Sequence, residues 1–144
     1  ELIERYFSRY QGLKKYMDDT VAFAQKNGYV TTLLGRRRQL RDINSKSSLA
    51  RSNAERMAVN TPIQGTAADM IKIAMLNVQK AIKEQGLQSK MILQVHDELV
   101  FDARRDELEQ LKVLVEEHMK NALPDLKVPI LVEMGTGENW LEAH

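Results

Sequence analysis

A polar triplet, His96-Asp97-Glu98, interrupts two β-favouring runs, Met91 to Val95 and Leu99 to Phe101. Apolar, branched and aromatic residues on both sides make each run a strand, and the triplet is the natural place for the chain to turn back. A hairpin over 91–102 follows. A carboxylate at such a tip is rigidly aimed and hard for a neighbouring lysine to neutralise. That suits a ligand for a hard divalent cation such as Mg²⁺. Aspartate is also a common turn residue, so the triplet alone leaves a solvated turn and a cation ligand both open.

The rest of the chain limits what can surround that hairpin. Its 144 residues suit about one domain, and 43% hydrophobic with 28% charged residues describes a globular chain with a core. No apolar run approaches the roughly 20 residues of a membrane span, and no signal peptide opens the chain. The absence of cysteine excludes disulfides, thiolate metal sites and cysteine nucleophiles, and fits a reducing compartment. Net charge is only +1, but the charges are unevenly placed. Arg36, Arg37, Arg38 and Arg41 cluster, with Lys46 and Arg51 behind them, whereas acids gather after Glu98. Such asymmetry permits a polyanion contact in one region and a cation site in another. Glu1 to Phe7 reads as helix without a start methionine or a cap, as in a piece cut from a larger protein.

Periodicity predicts a helix over 1–27, with Gly12 as a bend and Asn27-Gly28 as its stop. A short strand over 29–34, a turn at Gly35 and a returning segment 36–40 make a basic ribbon. A second helix is predicted over 48–59. Thr61-Pro62-Ile63-Gln64 reads as a capping box that starts a third, with the apolar stripe Ile63, Ala67, Met70, Ile71, Ala74, Met75, Val78 and Ile82. Gly86 ends it. Residues 104–123 are predicted helical, with Leu108, Leu111, Val115 and Met119 inward, and 128–134 is a further strand. Trp140 reads as an apolar anchor for the tail. The fold class is α+β: an antiparallel sheet whose hairpin carries the acid, covered by long helices.

Four motifs in this order carry a resemblance: Gly35-Arg36-Arg37-Arg38, the run from Glu55 to Asp69, Gln94 to Phe101, and Gly135-Thr136-Gly137-Glu138-Asn139-Trp140. Together they resemble the C-terminal part of a family A DNA polymerase of the bacterial polymerase I type. The likeness spans essentially the whole chain, with departures at Gln11 and Arg41, where relatives often carry proline.

The resemblance implies a DNA-directed DNA polymerase acting by two-metal phosphoryl transfer, with two Mg²⁺ ions as cofactors and Mn²⁺ not distinguished from them. It makes Asp97 and Glu98 the candidate catalytic residues, Asp97 the metal ligand and Glu98 an orienting carboxylate. His96 would lie against the primer-terminal nucleotide. Arg56, Asn60 and Gln64, spaced by four, would share one face if helical geometry persists past Pro62. In the family that stretch reads the minor groove of the duplex, where acceptors occupy equivalent places in every base pair. Arg36, Arg37 and Arg38 would hold phosphates with their forked guanidinium groups.

Implied partners are primer–template DNA and deoxynucleoside triphosphates, with no membrane and no obligate protein partner, in the bacterial cytoplasm at the nucleoid. Residues 1–44 correspond to distal fingers and residues 45–144 to palm. The family's other metal aspartate and its nucleotide-binding helix lie outside the chain, so the 144 residues alone are expected to be inactive and, with sheet edges uncovered, prone to self-association. Two readings compete. One is a non-catalytic nucleic-acid-binding module built on the same arginines and helix. The other is a metal nuclease using Asp97, Glu98 and Asp102, which alternate along a strand poorly for one site.

Overall fold

The structure is a computed structural model describing residues 2–144. The chain forms two compact units, one running to Ala67 and the other from Ala68 to His144. The boundary falls inside one long helix, which contributes to both.

The first unit begins with α1 (Leu2–Arg9) and α2 (Gln11–Asn27). The break falls at Tyr10, at φ −112° and ψ 58°, and not at the predicted Gly12, which lies within α2. The Tyr10 carbonyl accepts from the Leu13 and Lys14 amides, so the second helix starts at the break itself. As predicted, Gly28 ends α2 in the left-handed region, at φ 78°, and its amide donates to the Ala24 carbonyl. The ribbon pairs β1 (Tyr29–Thr31) with β2 (Arg37–Gln39) antiparallel, Val30 opposite Arg38. A turn closed by the Gly35 amide on the Thr32 carbonyl joins them. Ala24, Val30, Leu40, Ile43, Ala54 and Ala58 form this unit's core.

Helix α3 (Ser48–Glu84) runs without interruption through Pro62. The predicted break at 60–62 and the Thr61–Gln64 capping box are therefore absent. Thr61 is buried inside the helix and accepts from Arg38 Nη1 at 3.4 Å. An internal proline costs about 3 kcal/mol. Burial along the helix exceeds that, since each fully buried Val or Ile contributes about 1.5–3 kcal/mol. Ala54 and Ala58 are buried before the proline, and Ile71, Ala74, Val78 and Ile82 after it. Carbonyls around the proline also gain partners: Tyr16 Oη donates to Val59 O at 3.1 Å, and Thr66 Oγ1 donates to Pro62 O. The apolar stripe starts later than predicted, because Ile63 and Ala67 are exposed.

In the second unit α3 ends at Gly86, φ 68°, with the Gly86 amide on the Lys83 carbonyl and the Leu87 amide on that of Ile82. This double bond pattern satisfies two terminal carbonyls. The antiparallel hairpin β3 (Lys90–Val95) and β4 (Glu98–Asp102) follows, with an irregularity at Ile92. A single 3₁₀ turn (Arg105–Glu107) leads into α4 (Leu108–Lys120). Val78, Ala81 and Ile82 of α3 meet Leu111, Leu114 and Val115 of α4, with Phe101 and Met119 packed against them. The predicted strand over 128–134 is not formed. Val128 and Leu131 are strongly exposed, and no described residue offers them a ladder; β-branched side chains make a strand only where a partner pairs with it. The chain ends in α5 (Trp140–Ala143). Among the described residues no helix is long and apolar enough to cross a membrane.

Candidate functional site

The hairpin tip is tighter than a three-residue turn. Val95 pairs with Glu98, leaving only His96 and Asp97 as the loop. The first loop residue of a two-residue hairpin needs positive φ to match the strand twist, and His96 has φ 52°. Gln94 Nε2 donates to the His96 carbonyl and braces the tip, a role that sequence reasoning missed.

Asp97 is exposed at this apex and, among the described residues, carries no hydrogen bond or ion pair. Its carboxylate is not locked inward on an arginine. Glu98 opens β4 beside it, partly exposed. Side chains alternate along β4, and Phe101 packs into the core, so Glu98 and Val100 lie on the face away from Phe101. Asp102 pairs with Lys90 at the opposite end of the strand. Four residues of strand separate it from Glu98, roughly 13 Å, which removes the single-site nuclease reading.

The donor set suits Mg²⁺ in one particular way. Among the described residues there is no cluster of three or more His, Cys, Asp or Glu able to cage a metal ion. Mg²⁺ rarely uses such cages. It keeps waters and takes one or two carboxylates together with substrate phosphates, and one free aspartate on a rigid turn is such a partial donor set.

The base of the hairpin is clamped by Glu107, which sequence reasoning also missed. Its carboxylate accepts from the Gln88 amide at 3.0 Å, the Ser89 amide at 2.9 Å and the Ser89 hydroxyl at 2.6 Å. The Ser89 oxygen in turn accepts from the Arg104 amide at 3.0 Å. The Gln88 amide foremost, then the Ser89 hydroxyl, hold the Glu107 carboxyl below the usual carboxylate range, with the Ser89 amide and Arg104 adding to the effect.

In the first unit, Arg56, Asn60 and Gln64 share one exposed face of α3, because the helix does persist past Pro62. Arg56 is steadied by a hydrogen bond to Asn53 Oδ1. The three ribbon arginines are all exposed, but each is tethered. Arg36 Nη2 donates to Gly65 O at 3.0 Å, and Arg38 Nη2 contacts Met57 Sδ at 3.3 Å. The Arg37 guanidinium lies 4.6 Å above the Tyr29 ring. A cation over the ring face is held by the ring's quadrupole. Tyr29 as a platform was not foreseen, although its place opposite Gln39 in the ribbon follows from the register.

The last motif wraps α5. Asn139 Oδ1 accepts from the Glu142 amide at 3.1 Å, and Glu142 accepts from Asn139 Nδ2 and from the Glu138 amide. This is a capping arrangement at Asn-x-x-Glu spacing, legible in the sequence. Trp140 remains 46% exposed, so hydrogen bonds, more than burial of the indole, hold this turn.

Residues 1–142 match the family model for DNA polymerase family A. The chain is 49% identical over 142 residues to DNA polymerase I of Caldicellulosiruptor bescii, covering 99% of this chain and 17% of that protein. It is 51% identical over 143 residues to DNA polymerase I of Bacillus caldotenax, covering 99% of this chain and 16% of that protein. Among solved structures it is similar to the POL domain of Pol1 from M. smegmatis in complex with DNA primer-template and dNTP. The TM-score is 0.93 at 50% identity, over 98% of this chain and 25% of that one. The chain thus spans about a sixth of the length of these two polymerase relatives.

Proposed function

The chain belongs to DNA polymerase family A, and from that premise we propose that the full-length protein carrying it is a DNA-directed DNA polymerase that extends a primer 3′-hydroxyl. The observation that carries this reading is Asp97: an exposed, unpaired carboxylate at the apex of a two-residue turn, in a chain about half identical to bacterial polymerases I.

In this reading Asp97 is a metal ligand: it would hold Mg²⁺, which when bound would supply Lewis-acid activation of the primer 3′-hydroxyl and charge neutralisation at the leaving pyrophosphate. Glu98 orients the site beside Asp97. His96, exposed at the same turn, lies against the primer-terminal nucleotide. Arg56, Asn60 and Gln64 offer donors to the minor groove, where equivalent acceptors let a copying enzyme test pair shape without choosing sequence. Arg36, Arg37 and Arg38 contact phosphates, Arg37 with the freest geometry.

Residues 1–44 act as distal fingers and residues 45–144 as palm. The substrates are primer–template DNA and deoxynucleoside triphosphates, and the protein works in the bacterial cytoplasm at the nucleoid. The 144 residues alone do not polymerise, because the second aspartate and the triphosphate-binding helix lie outside them; a primer-extension assay of the isolated chain checks this against a no-protein control.

The test of the main reading is Asp97→Ala in the full-length protein. Synthesis falls by orders of magnitude while duplex affinity is roughly retained. If synthesis survives and Arg56→Ala instead abolishes duplex binding, the protein is a non-catalytic nucleic-acid-binding module.

A further inference from the structure

We propose that His144 is a positioning residue for Glu98, and that the turn from Gly135 to Ala143 serves to hold His144 beside it. The proposal rests on the polymerase reading, since it assigns Glu98 a task at the primer terminus.

His144 Nε2 lies 3.8 Å from Glu98 Oε1, too long for a hydrogen bond but within ion-pair range when the imidazole carries its proton. Among the described residues it is the only ion partner of Glu98. An imidazole against Glu98 fixes that side chain without neutralising Asp97, so the metal ligand keeps its charge.

The backbone around His144 is built to small tolerances. A Cβ added at Gly135 would run into the Ala143 carbonyl oxygen, and one at Gly137 into Glu142 Cβ. Only glycine lets the loop pass this close to α5. The Ala143 amide donates to the Asn139 carbonyl at 3.2 Å, and Glu142 closes the turn on Glu138 and Asn139. Glu138 also pairs with Arg105, in the 3₁₀ turn that follows the hairpin. The loop is thus closed on itself and paired with the 3₁₀ turn that follows β4. His144 is 70% exposed on its side chain, so packing gives no reason for this placement.

The experiment is single-nucleotide primer extension by the full-length protein at saturating DNA, with His144→Ala, His144→Gln, Glu98→Ala, the His144→Ala/Glu98→Ala double variant, and Asp97→Ala as control. His144→Ala lowers kcat about three- to fivefold, the scale that a partly exposed charged pair supplies, with KM for the nucleotide and the thermal midpoint unchanged. His144→Gln, which keeps a side-chain N–H donor but no charge, does not recover the loss, because the contact is too long for a hydrogen bond. The double variant is no slower than Glu98→Ala, because the two residues act as a unit. A wild-type rate for His144→Ala, a lowered midpoint, or a loss that adds to that of Glu98→Ala overturns the proposal. Full activity of Asp97→Ala would sink the polymerase reading and this one with it. An inactive Asp97→Ala beside a fully active His144→Ala sinks this one alone.

Discussion

Gly65 on α3 lies so close to Thr32 that a Cβ built on it would stand 2.6 Å from the Thr32 Cγ2 carbon. Thr32 cannot easily yield. It is buried, and its hydroxyl oxygen accepts from the Arg36 amide at 3.2 Å. The Leu33 amide next to it is bound to Thr66 Oγ1 at 3.0 Å. Removing the side chain at Gly65 is what lets the ribbon turn sit on the helix and lets Arg36 reach the Gly65 carbonyl.

Two effects compete in Gly65→Ala. Replacing a helical glycine by alanine in open space gains up to about 1 kcal/mol. Overpacking against a fixed neighbour costs about 1–3 kcal/mol. The contact distance decides for the second, so Gly65→Ala destabilises the protein by about 1 kcal/mol in denaturant unfolding. Stabilisation of similar size would mean that the ribbon turn is loosely held.

Glu107 makes stability depend on acid. Its carboxyl is held below the ordinary range in the folded chain by the Gln88 amide and the Ser89 hydroxyl. The unfolded chain therefore takes up the proton at a higher pH than the folded one. The contribution is fully present above the ordinary glutamate value and is lost as pH falls through the lowered folded value. Glu107→Gln makes the acid side of a stability–pH profile shallower and leaves its dependence above neutral pH unchanged. An unaltered acid limb would show that Glu107 does not clamp the hairpin base.

Arg37 and Gln64 separate two modes of DNA contact. A phosphate contact releases counterions, so Arg37→Ala reduces the slope of log affinity against log salt by about 1. Gln64 is uncharged, and Gln64→Ala lowers duplex affinity with the slope unchanged. The measurement is primer–template binding by the full-length protein across a salt series. Equal slopes for Arg37→Ala and the parent would mean that its stacking on Tyr29 is purely structural.

What the sequence made legible is what local chemistry alone decides. Strand-forming runs around a polar triplet predict the 91–102 hairpin, and Gly28 and Gly86 stop their helices in the left-handed region only glycine enters cheaply. The uninterrupted helix through Pro62 is not legible, because a proline's local cost is visible in sequence, whereas the burial that outweighs it on both sides is not. Residues 128–134 mislead for the opposite reason: their strand propensity is visible in sequence, and the lack of a described partner is not. Asp97, His96 and the face shared by Arg56, Asn60 and Gln64 came from motif and spacing. The support around them (Gln94, Glu107, Tyr29 and His144) did not, because it joins residues distant in sequence or uses side chains with no motif of their own.

The central claim is that a divalent cation gathers beside Asp97, and replacing Mg²⁺ by Fe²⁺ tests it most directly. With primer–template bound to the full-length protein, peroxide and ascorbate generate hydroxyl radicals at the iron, and these cut the backbone nearest to it. The account predicts cleavage around residues 96–98, suppressed by excess Mg²⁺ and absent from Asp97→Ala. Cleavage that is missing from the hairpin tip, or that persists there in Asp97→Ala, would contradict it.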